Sequence, residues 1–203
     1  FNGIFHYICI QTVLEMKKIL IILSLAFYMM AGQAQNTNLR QTVEEGIKTS
    51  IKQTESREWQ EAFATCRQMD ALIYADEQKS KKQAPELHYL VTKERLRMYM
   101  RLNNSERCKE QLEKLATYAK QSVQDALQED LLMSQAGYYQ KFGMTDKSLQ
   151  CYKQLVQKRS EGKDEAGIDA CYKDMLKQAN ESGNAVLTNA LDKLYTHWQD
   201  SIK

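Results

Sequence analysis

The sequence predicts an all-α fold of antiparallel helical hairpins stacked side by side as an α-solenoid. Three observations point there. One Pro and eight Gly in 203 residues are too few for the many turns of a sheet protein. A pattern of helix stops and apolar positions recurs with a period near forty residues, as in a repeat array. Within a copy, a small residue is followed by bulky ones four and seven places on, the spacing of one helix face. With 43% hydrophobic and 27% charged residues the chain can fill a core and is far from the polar bias of a disordered one. The net charge of +2 excludes an overall field that would recruit nucleic acid or an acidic membrane surface.

The first element reads as an address. Met16-Lys17-Lys18 supplies a positive start, Ile19 to Met30 is an apolar run shorter than the roughly 20 residues of a spanning helix, and Gly32 and Ala34 are small residues of the kind a signal peptidase accepts. The competing readings of the run are a buried helix or an uncleaved anchor, but no polar helix face accompanies it. Cleavage is therefore expected between Ala34 and Gln35, with no Cys following to carry a lipid. Residues 1–15 precede this pattern and read as an upstream extension. The division expected is thus 1–15, a signal peptide at 16–34, and a nearly neutral repeat domain at 35–203. Such a chain is exported and periplasmic, and its mature segment is not expected to insert in a membrane.

Four hairpins follow, at about 38–75, 85–121, 124–160 and 165–202. The third is the clearest. Tyr139 and Gly143 end one helical pattern, and Ser148, Tyr152 and Leu155 open the next. Forty residues earlier stand Tyr99, Asn103, Cys108, Leu112 and Leu115. Thirty-nine residues later, Ser182, Leu187, Leu191 and Leu194 repeat the set, with Gly183 one place off. A hairpin's first helix must stop at a residue that tolerates the left-handed conformation, for which Gly143 is best and Asn103 second. The first copy is weaker, with Trp59, Ala62, Cys66 and Met69 on one face after a break around Thr54-Glu55-Ser56. Asp76 to Ala84, polar and lysine-rich before Pro85, and Glu161 to Gly167, with two glycines, read as linkers.

Here the sequence resembles the tetratricopeptide repeat family. The likeness is best over Leu132 to Val156, where Leu132, Ala136, Tyr139, Gly143, Ser148, Tyr152 and Leu155 fall at that family's signature positions. The spacing of 39 to 46 exceeds the family's, Ser148 and Cys108 replace its usual Ala, and its closing Pro is absent. The end of the chain, with Tyr195, Trp198 and Asp200-Ser201-Ile202, also resembles the last repeat of exported sensor regions of bacterial membrane-bound histidine kinases and regulators.

No catalytic pattern accompanies these repeats. There is no glycine-rich phosphate loop and no nucleophile elbow. His88 and His197 lack a Cys, Asp or second His at ligand spacing, so each reads as a surface histidine or one packed on an aromatic ring. No catalytic residue, cofactor or metal is expected. Cys66, Cys108, Cys151 and Cys171 are enough for two disulfides with three connectivities, while their places on packed helices suit buried free thiols. Tyr139 with Tyr152 reads as core.

The resemblance implies function. In such arrays the first helices line a groove that holds a partner, and register carries the groove positions to Lys93, Arg97, Met100 and Arg101 in the second hairpin and to Asp130, Met133, Gln140 and Lys141 in the third. Lys93, Arg97 and Arg101, four apart, read either as a solvated basic stripe or as a clamp for a carboxylate or acidic peptide segment. Glu94 is the one acid among them. The expectation is a periplasmic module that binds a protein or peptide, not nucleic acid, as the sensory part of a two-component signal-transduction protein; the alternative is a free-standing adaptor in an envelope complex.

Overall fold

The computed structural model describes residues 39–122, 124–161 and 165–202. The extension at 1–15, the signal peptide at 16–34 and the cleavage site lie outside the described residues. The chain divides into two compact units, Phe1–Thr42 and Val43–Lys203. Of the first, the described part is the opening turn of a helix; the second carries the rest of that helix and all the others.

Eight α-helices and no strand occur among the described residues: α1 Leu39–Glu55, α2 Trp59–Ser80, α3 Pro85–Arg101, α4 Ser105–Gln121, α5 Asp125–Lys141, α6 Thr145–Glu161, α7 Glu165–Glu181 and α8 Ala185–Ser201. Within the second unit α3 packs most closely on α4, α5 on α6, and α7 on α8, while α2–α3, α4–α5 and α6–α7 contacts join successive pairs. The fold is an all-α array of stacked hairpins. No described helix is long and apolar enough to cross a membrane.

The turn inside each hairpin has the same backbone. Its second residue is left-handed, with φ of 63° at Arg57, 53° at Asn103, 72° at Gly143 and 69° at Gly183. The next N–H returns to a carbonyl in the last turn of the first helix, as Glu58 to Gln53, Asn104 to Tyr99, Met144 to Tyr139 and Asn184 to Ala179. A carbonyl that would otherwise be orphaned at the end of the first helix is satisfied this way. Asn104 and Asn184 then cap the following helix, each side-chain oxygen accepting an N–H at 3.0 Å, from Arg107 and Leu187.

The small residue expected early in the second helix of the first three hairpins is buried against its paired helix. Ala62, Cys108 and Ser148 are fully buried, and the Ser148 hydroxyl donates to the Ala136 carbonyl at 3.0 Å. Tyr89, Leu96, Cys108, Leu112, Leu115, Leu131 and Tyr138 form one core cluster. Ala136, Tyr152, Leu155, Cys171, Met175, Leu187 and Leu191 form another. Tyr152 is core as expected; Tyr139 is half-buried, and its neighbour Tyr138 takes the interior place.

Three sequence readings are corrected, the first being the linker at Glu161 to Gly167, of which Glu161 ends α6 and Glu165 to Gly167 open α7. The stretch from Asp76 is helical through Ser80, because Glu, Gln and Lys are good helix formers whatever their polarity. The stop is Lys81, left-handed at φ 59°, shortly before Pro85. The fourth hairpin also keeps a 40-residue backbone register, Gly143 to Gly183, and not 39. Its apolar stripe has moved back one residue instead. Leu112 and Tyr152 sit where a second helix reaches the next hairpin, and Tyr152 does so through its hydroxyl to Gln178. The equivalent on α8 is Asp192, which is exposed, and no described helix packs on that side.

Candidate functional site: a groove along the first helices

The first helices of all four hairpins contribute to one groove of about 570 Å³. Ile47 and Ile51 come from α1, Leu90, Lys93, Glu94, Leu96, Arg97 and Met100 from α3, Asp130, Met133, Ser134 and Gly137 from α5, and Gln178 from α7. The repeat explains the set. Ile47, Lys93 and Met133 occupy one position of successive hairpins, and Ile51, Arg97 and Gly137 the next position along the same face. The row therefore passes from apolar, through charged, to a residue with no side chain.

The charged members of the groove are paired, Arg97 within its own helix and the others across hairpins. Glu94, 4% exposed, receives the Arg97 guanidinium through two hydrogen bonds of 2.9 Å and the Ser50 hydroxyl of α1 at 3.3 Å. Asp130 of α5 receives the Tyr89 hydroxyl at 2.8 Å and the Lys93 ammonium at 2.5 Å. Burial and the adjacent Asp130 charge both push the Tyr89 phenol far above its ordinary range, so it stays a donor. Between the third and fourth hairpins, Gln140 donates to the Gln178 carbonyl at 2.8 Å, and Tyr152 reaches the side chains of both glutamines. Burial raises the Tyr152 phenol to about 12.

Of the expected site residues, Lys93, Arg97, Met100 and Met133 come together in the groove, with Asp130. Arg101, Gln140 and Lys141 do not line it. At 100° per residue a step of four advances 40°, so Arg101 and Lys141 stand about 80° round their helices from Lys93 and Met133. Both are exposed. Gln140 lies on the right face but is drawn to α7 by Gln178 and Ser182. Nor is the basic stripe a run of free charges, since Lys93 and Arg97 each hold a carboxylate; Arg101 alone of the three has no ion pair among the described residues.

Ile47 and Ile51 escaped the sequence reading although the spacing was available. They precede Lys93 and Arg97 by 46 residues, the separation of the left-handed residues Arg57 and Asn103. Gly137, a glycine in mid-helix, was the other available signal.

His88 is 5% exposed, stacked on Tyr118 with ring centres 5.3 Å apart and tilted against Tyr74. That meets the expectation of a histidine packed on aromatics. The structure adds two acids of α2, with His88 Nε2 3.3 Å from Glu77 and Nδ1 3.9 Å from Asp70, whose other oxygen pairs with Arg95. The Asp70 carboxylate, and after it Glu77, favour the protonated ring and raise the His88 pKa despite burial. Asp70 is held below the ordinary carboxylate range by His88 and Arg95, against its own burial. The site joins α2 to α3 and lies outside the groove. His197 is exposed. All four cysteines of the described residues are free and buried, and burial raises each thiol above its ordinary pKa, Cys108 and Cys171 to about 11. No group of His, Cys, Asp and Glu among the described residues is arranged to hold a metal ion.

Compared with protein-family models, with curated proteins and with solved structures, the chain matches none of them.

Proposed function

We propose that this chain is a protein-binding module of the cell envelope, a tetratricopeptide-like array that holds a segment of a partner in the groove of its first helices. The observation that carries the reading is the groove itself, which draws on all four hairpins and keeps Ile47, Ile51, Leu90, Met100 and Met133 on its lining. Apolar side chains that a folded chain leaves in a groove are the usual floor of a binding site. Export rests on the pattern from Met16 to Gln35, and a sensory role in two-component signalling on the likeness around Tyr195 and Trp198.

A photoreactive residue placed at Met133 tests the groove in intact cells, with one at exposed Lys114 of α4 as the control. The expected result is a discrete adduct of defined mass from position 133 and none from 114. Equal labelling at both positions would remove the groove reading. Reading the DNA beyond codon 203 tests the sensory role, which expects an open frame with a membrane span and a kinase or regulator; a stop codon there would favour the adaptor.

A further inference from the structure

Gly137 is a glycine in the interior of α5, where it costs the helix roughly 1 kcal/mol relative to Ala. A glycine at such a place is usually explained by crowding, as at Gly46, whose missing Cβ would lie 2.2 Å from Met69 Sδ. Gly137 has no such reason. A Cβ built there meets no atom within 4 Å, and its backbone is not in a left-handed conformation. It sits instead in the groove, at the position filled by Ile51 and Arg97 in the preceding hairpins and by Lys177 in the next, so the row of side chains has a gap.

What surrounds the gap is apolar or already paired. Met133 stands one turn before it on α5, and Met100 lines the same groove from α3. The nearby charges cancel as two pairs, Lys93 with Asp130 and Arg97 with Glu94. A charged segment would meet a like charge beside every opposite one, and to gain a partner would have to break either the Lys93–Asp130 tie between hairpins or the Arg97–Glu94 pair within α3. Methionines suit an aromatic or long aliphatic side chain, because a flexible thioether adapts its shape and makes favourable contacts with rings.

From this we infer that the groove selects an uncharged peptide segment and seats one large apolar side chain, aromatic or long aliphatic, over Gly137. The inference rests on the groove reading above and replaces the acidic occupant that the basic stripe suggested. Three fluorescein-labelled peptides, alike except for a central Leu-Phe-Leu, Asp-Asp-Asp or Lys-Lys-Lys, test it by fluorescence anisotropy on the purified protein. The Leu-Phe-Leu peptide should bind, with an affinity that holds between low and moderate salt. Gly137→Leu should weaken it by about tenfold or more, the scale of one buried apolar side chain. Gly137→Ala should weaken it severalfold while raising Tm, which separates loss of the seat from loss of the fold; the melting curve of Gly137→Leu makes the same check. Preference for the acidic or basic peptide, steep salt dependence, or unchanged binding in both Gly137 variants would overturn the inference and leave the groove reading to its cross-linking test. Binding of none of the three would overturn it as well.

Discussion

Three glycines of this chain can receive the same methyl group, and the structure assigns each a different outcome. At Gly143 the space is open but φ is +72°. Ala there gains about 0.5–1 kcal/mol from a less flexible unfolded chain and loses about 1–2 kcal/mol to left-handed strain. The net is a loss near 1 kcal/mol, or about 2–4 °C in Tm for a unit of this size. Gly143→Val loses more, since a β-branched residue is rarer still at positive φ. At Gly137 the space is equally open and the backbone is right-handed, so Ala should stabilise by roughly 0.5–1 kcal/mol. At Gly46 the methyl would overlap the Met69 thioether, and Ala should destabilise by about 1–3 kcal/mol as Met69 is displaced. Urea titration and thermal melts of the three variants beside the parent give the order Gly137→Ala above parent, with the other two below. If Gly143→Ala matched Gly137→Ala in sign, the shared turn geometry would not be what ends the first helices, and the hairpin argument would fall.

Arg97→Gln should destabilise by about 1–3 kcal/mol because it leaves the buried Glu94 without its guanidinium, whereas Arg101→Gln should change Tm by less than about 1 °C; equal melts would mean that the Glu94 pair is not formed. For His88, whose folded pKa is raised, the stabilising contribution is complete below the unfolded value of about 6.5 and is lost as pH rises through the folded one. The parent's Tm should therefore fall as pH rises above about 6.5 while that of His88→Phe stays flat there, and parallel profiles would refute the His88–Asp70–Glu77 geometry. The thiols of Cys66, Cys108, Cys151 and Cys171 should resist a thiol reagent in the folded protein at pH 8 and react together in denaturant; fast labelling of any one while folded would contradict its burial.

Much of the fold was legible because it depends on short stretches of chain. A left-handed stop at Asn103 or Gly143, a small residue at Cys108 or Ser148, and bulky ones four and seven places on are properties of one turn and one helix face, which periodicity exposes directly. The exceptions were also local in kind. Asp76 to Ser80 looked like a linker because it is polar, yet its residues favour helix, and the 39-residue spacing of the last hairpin followed the apolar stripe of α8 where the backbone kept 40.

The candidate site was legible only in outline. Register alone places Lys93, Arg97, Met100 and Met133 on the groove side, but whether a charge there is available depends on which residues the stacking brings opposite. Asp130 meets Lys93 from 37 residues away, Asp70 meets Arg95 from 25, and Ser50 reaches Glu94 from 44. Such pairs follow from how one hairpin lies on the next, a geometry set by the whole packed interface and absent from any single helix. By itself the sequence determined the helical hairpins, the stops at Asn103 and Gly143 and the faces that Cys108 and Ser148 bury; the tertiary structure decided that Lys93 of the basic stripe is paired with Asp130, that His88 is clamped between two acids, and that the row of groove side chains has its gap at Gly137.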